Sequence, residues 1–221
     1  MNRFVFEIRF ALLLAALYAA FWLWQTPGAL RGPLAADEVG EYLRLVEERL
    51  PLPAAEKPAV LEHLREWAMA DDGKPVYMLN LMRYYPTLRS FDGAPPFDGT
   101  PQQSNAHYET RVMPVLLGKG GYALVGGSTQ GGNILEHAPA LDDWSRVLVV
   151  RYPSRRAFLE LLADPAYAPI EPYKLMALQV VLTPVHGEAV VPELRWMFGA
   201  AALVSFLLVA WLRAVRREQR S

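Results

Sequence analysis

Two polar side chains, those of Asn80 and His107, have functional groups and sequence surroundings that are suited to catalysis. Asn80 lies between Leu79 and Leu81 in the apolar run of residues 74–86, and a buried side-chain amide is costly unless a hydrogen bond satisfies it. The amide therefore either faces a ligand or bonds to a neighbouring backbone. His107 has an imidazole that titrates near neutral pH and could act as a general base, or it is an exposed histidine in the first turn of a helix. We predict Asn80 and His107 as catalytic residues, with His107 accepting a proton and Asn80 stabilising the resulting anion.

Four more residues are predicted to bind a small-molecule substrate beside that pair. Arg83 could hold an anionic group in a bidentate fashion or pair with a carboxylate at the rim of a sheet. Tyr108 could donate its hydroxyl to a substrate oxygen or pack as a core aromatic residue. Trp144 and Arg151 flank another apolar run, where stacking on a substrate and packing against a partner chain are both open.

Composition and spacing exclude several other kinds of site. The chain has no cysteine, so it has no thiolate nucleophile and no Cys-ligated metal. His63, His137 and His186 are scattered without a carboxylate at ligand spacing, and we predict no metal site. No Walker, Rossmann or GxSxG motif is present, and we predict no cofactor. Residues 34–190 contain 14 Lys and Arg against 20 Asp and Glu, a negative balance that argues against a nucleic-acid partner.

Both ends of the chain carry apolar segments that are predicted to cross a lipid bilayer. Residues 10–24, with the apolar residues before them, provide about 20 residues, and residues 196–212 provide about 17. Arg3 precedes the first segment and a cluster of arginines follows the second, which places both termini in the cytoplasm by the positive-inside rule. The region between them is then extracytoplasmic, which in a bacterium means periplasmic. A cleaved signal peptide is the alternative for the first segment.

The region between these segments is predicted to be an α+β domain preceded by two amphipathic helices. These helices cover residues 37–50 and 54–70, and Asp37 is the predicted N-cap of the first. The remaining pattern predicts the order βαββαβ, the ferredoxin-like arrangement of an antiparallel sheet with helices on one face. The strands are predicted over 74–86, 122–125, 144–152 and 180–185, and the helices over 104–118 with Ser104 as N-cap, 155–163 and 167–178.

The strand over 144–152 is apolar on both faces, which is typical of a sheet covered on both sides. A second copy of the chain would cover the outer face, so we predict a homodimer. The loop over 87–103 is long enough to act as a lid over a site. The predicted divisions are a transmembrane helix (1–25), a linker with two amphipathic helices (26–73), the ferredoxin-like domain (74–190), a second transmembrane helix (194–213) and a basic cytoplasmic tail (214–221).

A family resemblance rests on three stretches: KPVYMLNLMRY (74–84), HYETRVMPVLLGKGGYALVGGS (107–128) and DWSRVLVVRYPSRRAFLELLADPAY (143–167). Together they resemble the domain-of-unknown-function family 1330, in the dimeric α+β barrel superfamily. The resemblance implies the ferredoxin-like fold and dimerisation, with no settled activity. Relatives in the superfamily include cofactor-independent and haem-degrading monooxygenases. Asn80 and Trp144 match an Asn and a Trp of the haem degraders, but the helix over 155–163 has no histidine to ligate iron.

Two functions of different classes follow from this sequence. The first is a membrane-tethered enzyme or binding protein for a small molecule, which as a cofactor-free oxygenase would hold a reduced aromatic or quinol-like substrate. The second is a non-catalytic interaction or scaffold module, which the missing catalytic signature favours, with the leading helices over 37–70 serving as the scaffold.

Overall fold

The computed structural model of the chain describes residues 3–132, 134, 143–188 and 194–218. The chain divides into two compact units, Met1–His186 and Gly187–Ser221. The first contains helices α1 to α7 and all four strands of the described sheet, and the second contains helix α8. His137 lies outside the described residues.

Two helices, one in each unit, are long and apolar enough to cross a membrane. Helix α1 (Arg3–Gln25) contains the candidate span Ile8–Gln25, and helix α8 (Leu194–Glu218) contains Leu194–Arg216. The span of 18 residues in α1 is about 27 Å long at 1.5 Å per residue, close to the thickness of a bilayer core. The prediction of two apolar spanning segments is thus confirmed at the level of length and composition, while their orientation stays a prediction.

The sheet has four antiparallel strands in the spatial order β2-β3-β1-β4. The strands are β1 (Val76–Tyr84), β2 (Tyr122–Ser128), β3 (Arg146–Tyr152) and β4 (Leu178–Val185). Each predicted strand is present, and β4 begins two residues earlier than predicted. The central strand β1 pairs Asn80 with Leu148 of β3 and with Leu182 of β4. The α+β class is confirmed, with the predicted first strand at the centre of the sheet.

Strand β1 separates its side chains strictly between two faces. Met78, Asn80 and Met82 are buried, whereas Tyr77, Leu79 and Leu81 between them are only partly buried. This alternation follows from the pleat of a strand, which sends successive side chains to opposite faces. Asn80 therefore points into the same interior as the two methionines.

Helices cover the buried face of the sheet in two layers. The inner layer contains α5 (Pro101–Gly118), α6 (Arg155–Leu162) and α7 (Glu171–Ala177), which contact β2, β3 and β4 respectively. The outer layer contains α3 (Ala36–Arg49) and α4 (Lys57–Met69), which pack on each other, and α3 also packs on α6. A short helix α2 (Gly28–Arg31), which the sequence analysis did not predict, follows α1.

The start of α5 differs from the prediction by one turn. Thr100 is the N-cap: its side chain accepts a hydrogen bond from the Gln103 amide at 3.2 Å, and the Gln103 side chain accepts one from the Thr100 amide at 2.8 Å. Ser104, the predicted N-cap, is instead fully buried and donates its hydroxyl to the Tyr173 carbonyl at 2.8 Å. A Thr followed three residues later by Gln makes the reciprocal bonds of a capping box, which outcompetes Ser104.

The N-cap of α3 also differs from the prediction. Ala35 occupies the cap position, and its amide donates to the Glu38 carboxylate at 2.9 Å. Asp37, the predicted cap, lies in the first turn of the helix, where a carboxylate is favoured by the positive end of the helix dipole.

Candidate functional site

Asn80 lies at the centre of a polar cluster inside the helix-covered face of the sheet. Only 3% of the residue is exposed. Its Nδ2 donates to the Met78 carbonyl at 3.1 Å and to the Leu148 carbonyl at 3.4 Å, and its Oδ1 accepts from the Lys174 ammonium at 3.0 Å. The two backbone bonds fix the orientation of the amide, so that its oxygen faces Lys174.

Lys174 reaches Asn80 from α7, where it stands one helical turn after Glu171. Its Nζ lies 5.5 Å from the centroid of the Tyr108 ring on α5, a distance at which a cation is attracted to an aromatic face. Burial lowers the pKa of Lys174, while the carboxylates of Glu171 and Glu109 act in the opposite direction. The ammonium is therefore held between an amide oxygen and an aromatic ring in a poorly solvated place.

Glu171 is a buried carboxyl at the start of α7. Burial raises its pKa from 4.5 to about 7, although the positive charge of Lys174 lowers it. Within the part of the chain that the structure describes, its Oε2 is buried and accepts no hydrogen bond. At neutral pH the group is thus divided between its acid and its carboxylate forms, which is the condition for exchanging a proton.

Two tyrosines complete this cluster: Tyr108 on α5, and Tyr167 between α6 and α7. The hydroxyls of Tyr108 and Tyr167 lie 3.4 Å apart. Burial raises the pKa of both hydroxyls above the ordinary value. Both phenols therefore remain neutral hydrogen-bond donors throughout the physiological pH range.

A second polar group lies one turn earlier on α5 and beside the first. The Asn105 amide donates to Glu109 at 2.8 Å and to the Tyr84 hydroxyl at 3.4 Å, and Arg146 on β3 pairs with Glu109 at 2.9 Å. These bonds tie α5 to β1 and β3. We call the residues Asn80, Tyr108, Tyr167, Glu171 and Lys174 the interior cluster.

The structure places His107 outside the interior cluster, on the side of α5 next to Tyr108. Its ring lies 4.2 Å from that of Tyr173 and 5.7 Å from that of Phe97, between ring centroids, and it contacts the guanidinium of Arg111. Desolvation, and then the charge of Arg111, lower the pKa of His107. Successive residues of a helix point about 100° apart, so Tyr108 enters the cluster and His107 does not.

Arg83 and Trp144 lie together, but on the other side of the sheet from Asn80. The Arg83 guanidinium stacks 5.2 Å from the centroid of the Trp144 ring, and its Nε donates to the Asp143 carbonyl at 3.0 Å. Arg83 follows Asn80 by three residues in β1, and an odd separation in a strand points the two side chains to opposite faces. Tyr108 of the predicted substrate-binding group is therefore separated from Arg83 and Trp144, and Arg151 lies in a third place.

Arg151 contacts the end of α1. Its Nη1 donates to the Gln25 side-chain oxygen at 2.6 Å and its Nη2 to the Gln25 carbonyl at 3.2 Å, while its guanidinium lies 5.6 Å from the Tyr122 ring centroid. The Gln25 amide in turn donates to the Gly120 carbonyl at 3.3 Å. A cation at a helix C-terminus binds the last carbonyls and complements the helix dipole. Arg151 therefore attaches α1 to the sheet.

Glu171, Lys174 and Tyr167 were not predicted as site residues from the sequence. Residues 167–178 were predicted only as a helix, yet the segment EPYKLMA places a carboxylate and a lysine three residues apart in otherwise apolar surroundings. Residues with that spacing share one face of a helix. A pair of opposite charges on the apolar face of a helix could therefore have indicated a buried polar site from the sequence.

Three cavities are formed by described residues other than those of the interior cluster. One of about 370 Å³ lies at the end of α1, and one of about 130 Å³ lies near Trp67 and His186. The third, of about 330 Å³, is lined by the loop between β1 and α5, including Phe97, and by Met176 of α7. This last cavity borders α7 two residues after Lys174.

Comparison with known proteins finds solved structures to which this chain is similar. No family model matches the sequence, and a search of curated proteins gives no match. RPA0582, a protein of unknown function from Rhodopseudomonas palustris, is 25% identical with a TM-score of 0.49, covering 61% of this chain and 94% of that one. The methylated form of RPA0582 is 26% identical with the same TM-score of 0.49, and the match covers 61% of this chain and 93% of that one. SnoaB, a cofactor-independent oxygenase from Streptomyces nogalater, is 13% identical with a TM-score of 0.36, and the match covers 54% of this chain and 99% of that one. The resemblance to family 1330 therefore stays a prediction.

Proposed function

We propose that the protein is a membrane-anchored enzyme whose interior cluster removes a proton from a small organic ligand and stabilises the resulting anion. The observation that carries the proposal is the placement of the buried Glu171 and the partly buried Lys174 in one interior cluster with Asn80. Burying ionisable groups costs free energy, and an apolar core of the same volume would be at least as stable. Ionisable groups with strongly shifted pKa values in one place are typical of functional sites.

Glu171 is the proton acceptor in this proposal, in the role that the sequence analysis gave to His107. Its Oε2 is buried and, among the described residues, has no hydrogen-bond partner, so an acidic C–H or O–H of a ligand would find an acceptor there. A pKa of about 7 makes the group an effective base near neutral pH because both forms are present.

Lys174 and the two tyrosines supply the stabilisation of the anion. The Asn80 oxygen holds the Lys174 ammonium at 3.0 Å, and the paired Tyr108 and Tyr167 hydroxyls can donate to an oxygen that gains charge. The ligand class is therefore a carbon acid next to a carbonyl group, or a phenol or quinol. Cofactor-free oxygenation is the finer form of the proposal, in which such an electron-rich anion reacts directly with dioxygen.

Access to the cluster is proposed to run beneath the loop between β1 and α5. Phe97 of this loop rests on Tyr173, with 5.6 Å between ring centroids, and Tyr173 directly precedes Lys174. The cavity of about 330 Å³ beneath the loop is close to the lower limit of about 300 Å³ for a small-molecule pocket. Displacement of Phe97 would extend this cavity toward the interior cluster.

The ferredoxin-like fold and the homodimer belong to the same proposal. The element order and the sheet order β2-β3-β1-β4 support the ferredoxin-like βαββαβ arrangement. The outer face of the sheet carries a row of partly or largely exposed apolar residues, which a second copy would bury: Tyr77, Leu79, Leu81, Val125, Val147, Val149 and Val181. Cytoplasmic termini and an extracytoplasmic domain complete the proposed arrangement, because arginines flank both spans.

Hydrogen exchange at an acidic carbon tests the catalytic proposal without knowledge of the natural ligand. The full chain in detergent is incubated in deuterium oxide with a set of β-diketones and anthrone-type ketones, each of which has an acidic carbon, and deuterium incorporation at that carbon is followed by mass spectrometry. Glu171→Gln is expected to lower the exchange rate about 100-fold or more, the usual contribution of a positioned general base. Lys174→Met is expected to lower it about 100-fold, the usual cost of removing one group that stabilises the developing anion. Lys74→Met is the matched control, because Lys74 has 75% of its side chain exposed and pairs with Asp72 on the surface.

Exchange that is no faster than in buffer with every compound would refute the enzymatic proposal. Equal rates for the native chain and Glu171→Gln would refute the assigned base. The first of these results would favour the non-catalytic interaction module instead, whereas the second would leave an enzyme with a different base. If the chain is an interaction module, deletion of residues 37–70, and not substitution in the interior cluster, should abolish the biological effect.

A further inference from the structure

A cavity of about 370 Å³ lies where α1 ends and the α+β domain begins. One wall is apolar and consists of Leu23 and Trp24 in the last turn of α1, followed by Pro27 and Leu30. The opposite wall belongs to the turn after α5 and to the beginning of α6. The volume of this cavity lies within the range of about 300–1,000 Å³ that is usual for small-molecule pockets.

The mouth of this cavity carries an ion pair that a ligand could replace. Arg31 Nη1 lies 3.4 Å from Glu160 Oε1, with 63% of the arginine side chain and 28% of the glutamate side chain exposed. Exposed ion pairs contribute little free energy, so both groups can exchange their partner for charges of a bound molecule.

Charges deeper in the lining are balanced by carboxylates of the fold. Lys119 pairs with Asp164 at 2.8 Å, and the Nη2 of Arg156 donates to Glu38 at 3.0 Å. The cavity therefore offers groups of both signs at its mouth without a large excess of either. This distribution fits a molecule that carries both a positive and a negative charge, and gives little advantage to a net anion.

The position of α1 points to the source of such a molecule. Trp24 lies in the last turn of the candidate span Ile8–Gln25, and tryptophans are enriched where a membrane helix meets the headgroup layer. A cavity lined by this turn opens at the depth of lipid phosphates and glycerol groups. We propose that it binds the headgroup of a zwitterionic phospholipid, with the phosphate at Arg31, the ammonium at Glu160 and the upper acyl chain against Leu23 and Leu30.

Retention of defined lipids by the full-length chain tests this proposal. The protein is stripped of lipid in detergent, mixed with equal amounts of phosphatidylethanolamine and phosphatidylglycerol bearing the same acyl chains, and examined by native mass spectrometry. The native chain is expected to retain the ethanolamine lipid about fivefold more than the glycerol lipid. Glu160→Gln should bring that ratio close to one, whereas Arg31→Gln should lower the retention of both lipids about fivefold.

Arg44→Gln is the matched control, because Arg44 is an exposed arginine paired with Glu41 and Glu48 on α3 and does not line the cavity. This variant should retain both lipids as the native chain does. Glycerophosphoethanolamine, the same headgroup without acyl chains, should not displace the bound lipid at equal concentration. Complete displacement would assign the cavity to a soluble zwitterion and refute the lipid. Equal retention of the two lipids by the native chain, or unchanged retention in both cavity variants, would show annular lipid only and overturn the proposal.

Discussion

The buried carboxyl of Glu171 should make the stability of this protein fall as the pH rises from about 4.5 to about 7. Its pKa in the folded chain is about 7, against 4.5 for the ordinary group, and burial is the main cause. Below pH 4.5 both the folded and the unfolded chain hold the proton. Between 4.5 and 7 only the folded chain holds it, so each step upward in pH favours the unfolded chain. Above about pH 7 the whole contribution is lost.

The magnitude follows from the two pKa values. At 1.36 kcal/mol for each pKa unit, the change from 4.5 to about 7 corresponds to about 3 kcal/mol of unfolding free energy. With a urea dependence of about 1–3 kcal/mol per molar, the unfolding midpoint should decrease by about 1–3 M between pH 4.5 and pH 8. In Glu171→Gln the side chain no longer titrates, and this decrease should largely disappear.

The assay is urea unfolding of the full-length chain in a non-ionic detergent, followed by tryptophan fluorescence at several values between pH 4.5 and 8. Glu62→Gln is the control, because Glu62 has 65% of its side chain exposed and should keep the pH dependence of the native chain. The double variant Glu171→Gln, Lys174→Met tests whether the lysine, whose pKa is lowered by burial, adds a pH dependence of its own. Parallel curves for the native chain and Glu171→Gln would refute the assignment of a neutral, buried carboxyl.

Two further substitutions probe the attachment of α1 to the sheet. Gly120→Ala should lower the unfolding free energy by about 1–2 kcal/mol in the same assay, because Gly120 has φ +74° and an added Cβ would lie 3.1 Å from Pro153 Cγ; an unchanged midpoint would contradict this. Arg151→Met should leave the Gln25 side-chain oxygen and carbonyl without their guanidinium partner, at a cost of about 1–3 kcal/mol, and should speed proteolytic cleavage between α1 and α3. The control variant Arg65→Met, at an exposed arginine, should be cleaved at the native rate. Equal cleavage rates for the native chain, Arg151→Met and Arg65→Met would show that Arg151 does not hold α1.

Local sequence patterns were sufficient to predict the strands and most helices. A strand with a buried face must alternate along β1, and the burial of Met78, Asn80 and Met82 is the direct result. The two apolar ends were equally visible, because spanning length is a property of a continuous segment. Helix starts were less accurate: neighbouring residues compete for the cap, and Thr100 with Gln103 makes two bonds where Ser104 was expected to make one.

The candidate site depended on contacts that no local pattern contains. Asn80 was predicted to be buried and polar, but its partner Lys174 is 94 residues away in the chain. Arg151, expected beside a substrate, instead binds Gln25, which is 126 residues away. Arg83 and His107 have suitable chemistry, yet the pleat of β1 and the turn of α5 direct them away from the interior cluster.

The sequence by itself determined which segments form strands, helices and apolar spans, and it determined that Asn80 lies in a buried strand, because these features depend on periodicity within a few residues. Only the tertiary structure decided that Glu171 and Lys174 share the interior with Asn80 and that Arg31 and Glu160 meet at the end of α1. The physical reason is that a pKa and an ion pair depend on distance and burial in space, which are set when the helices close over the sheet.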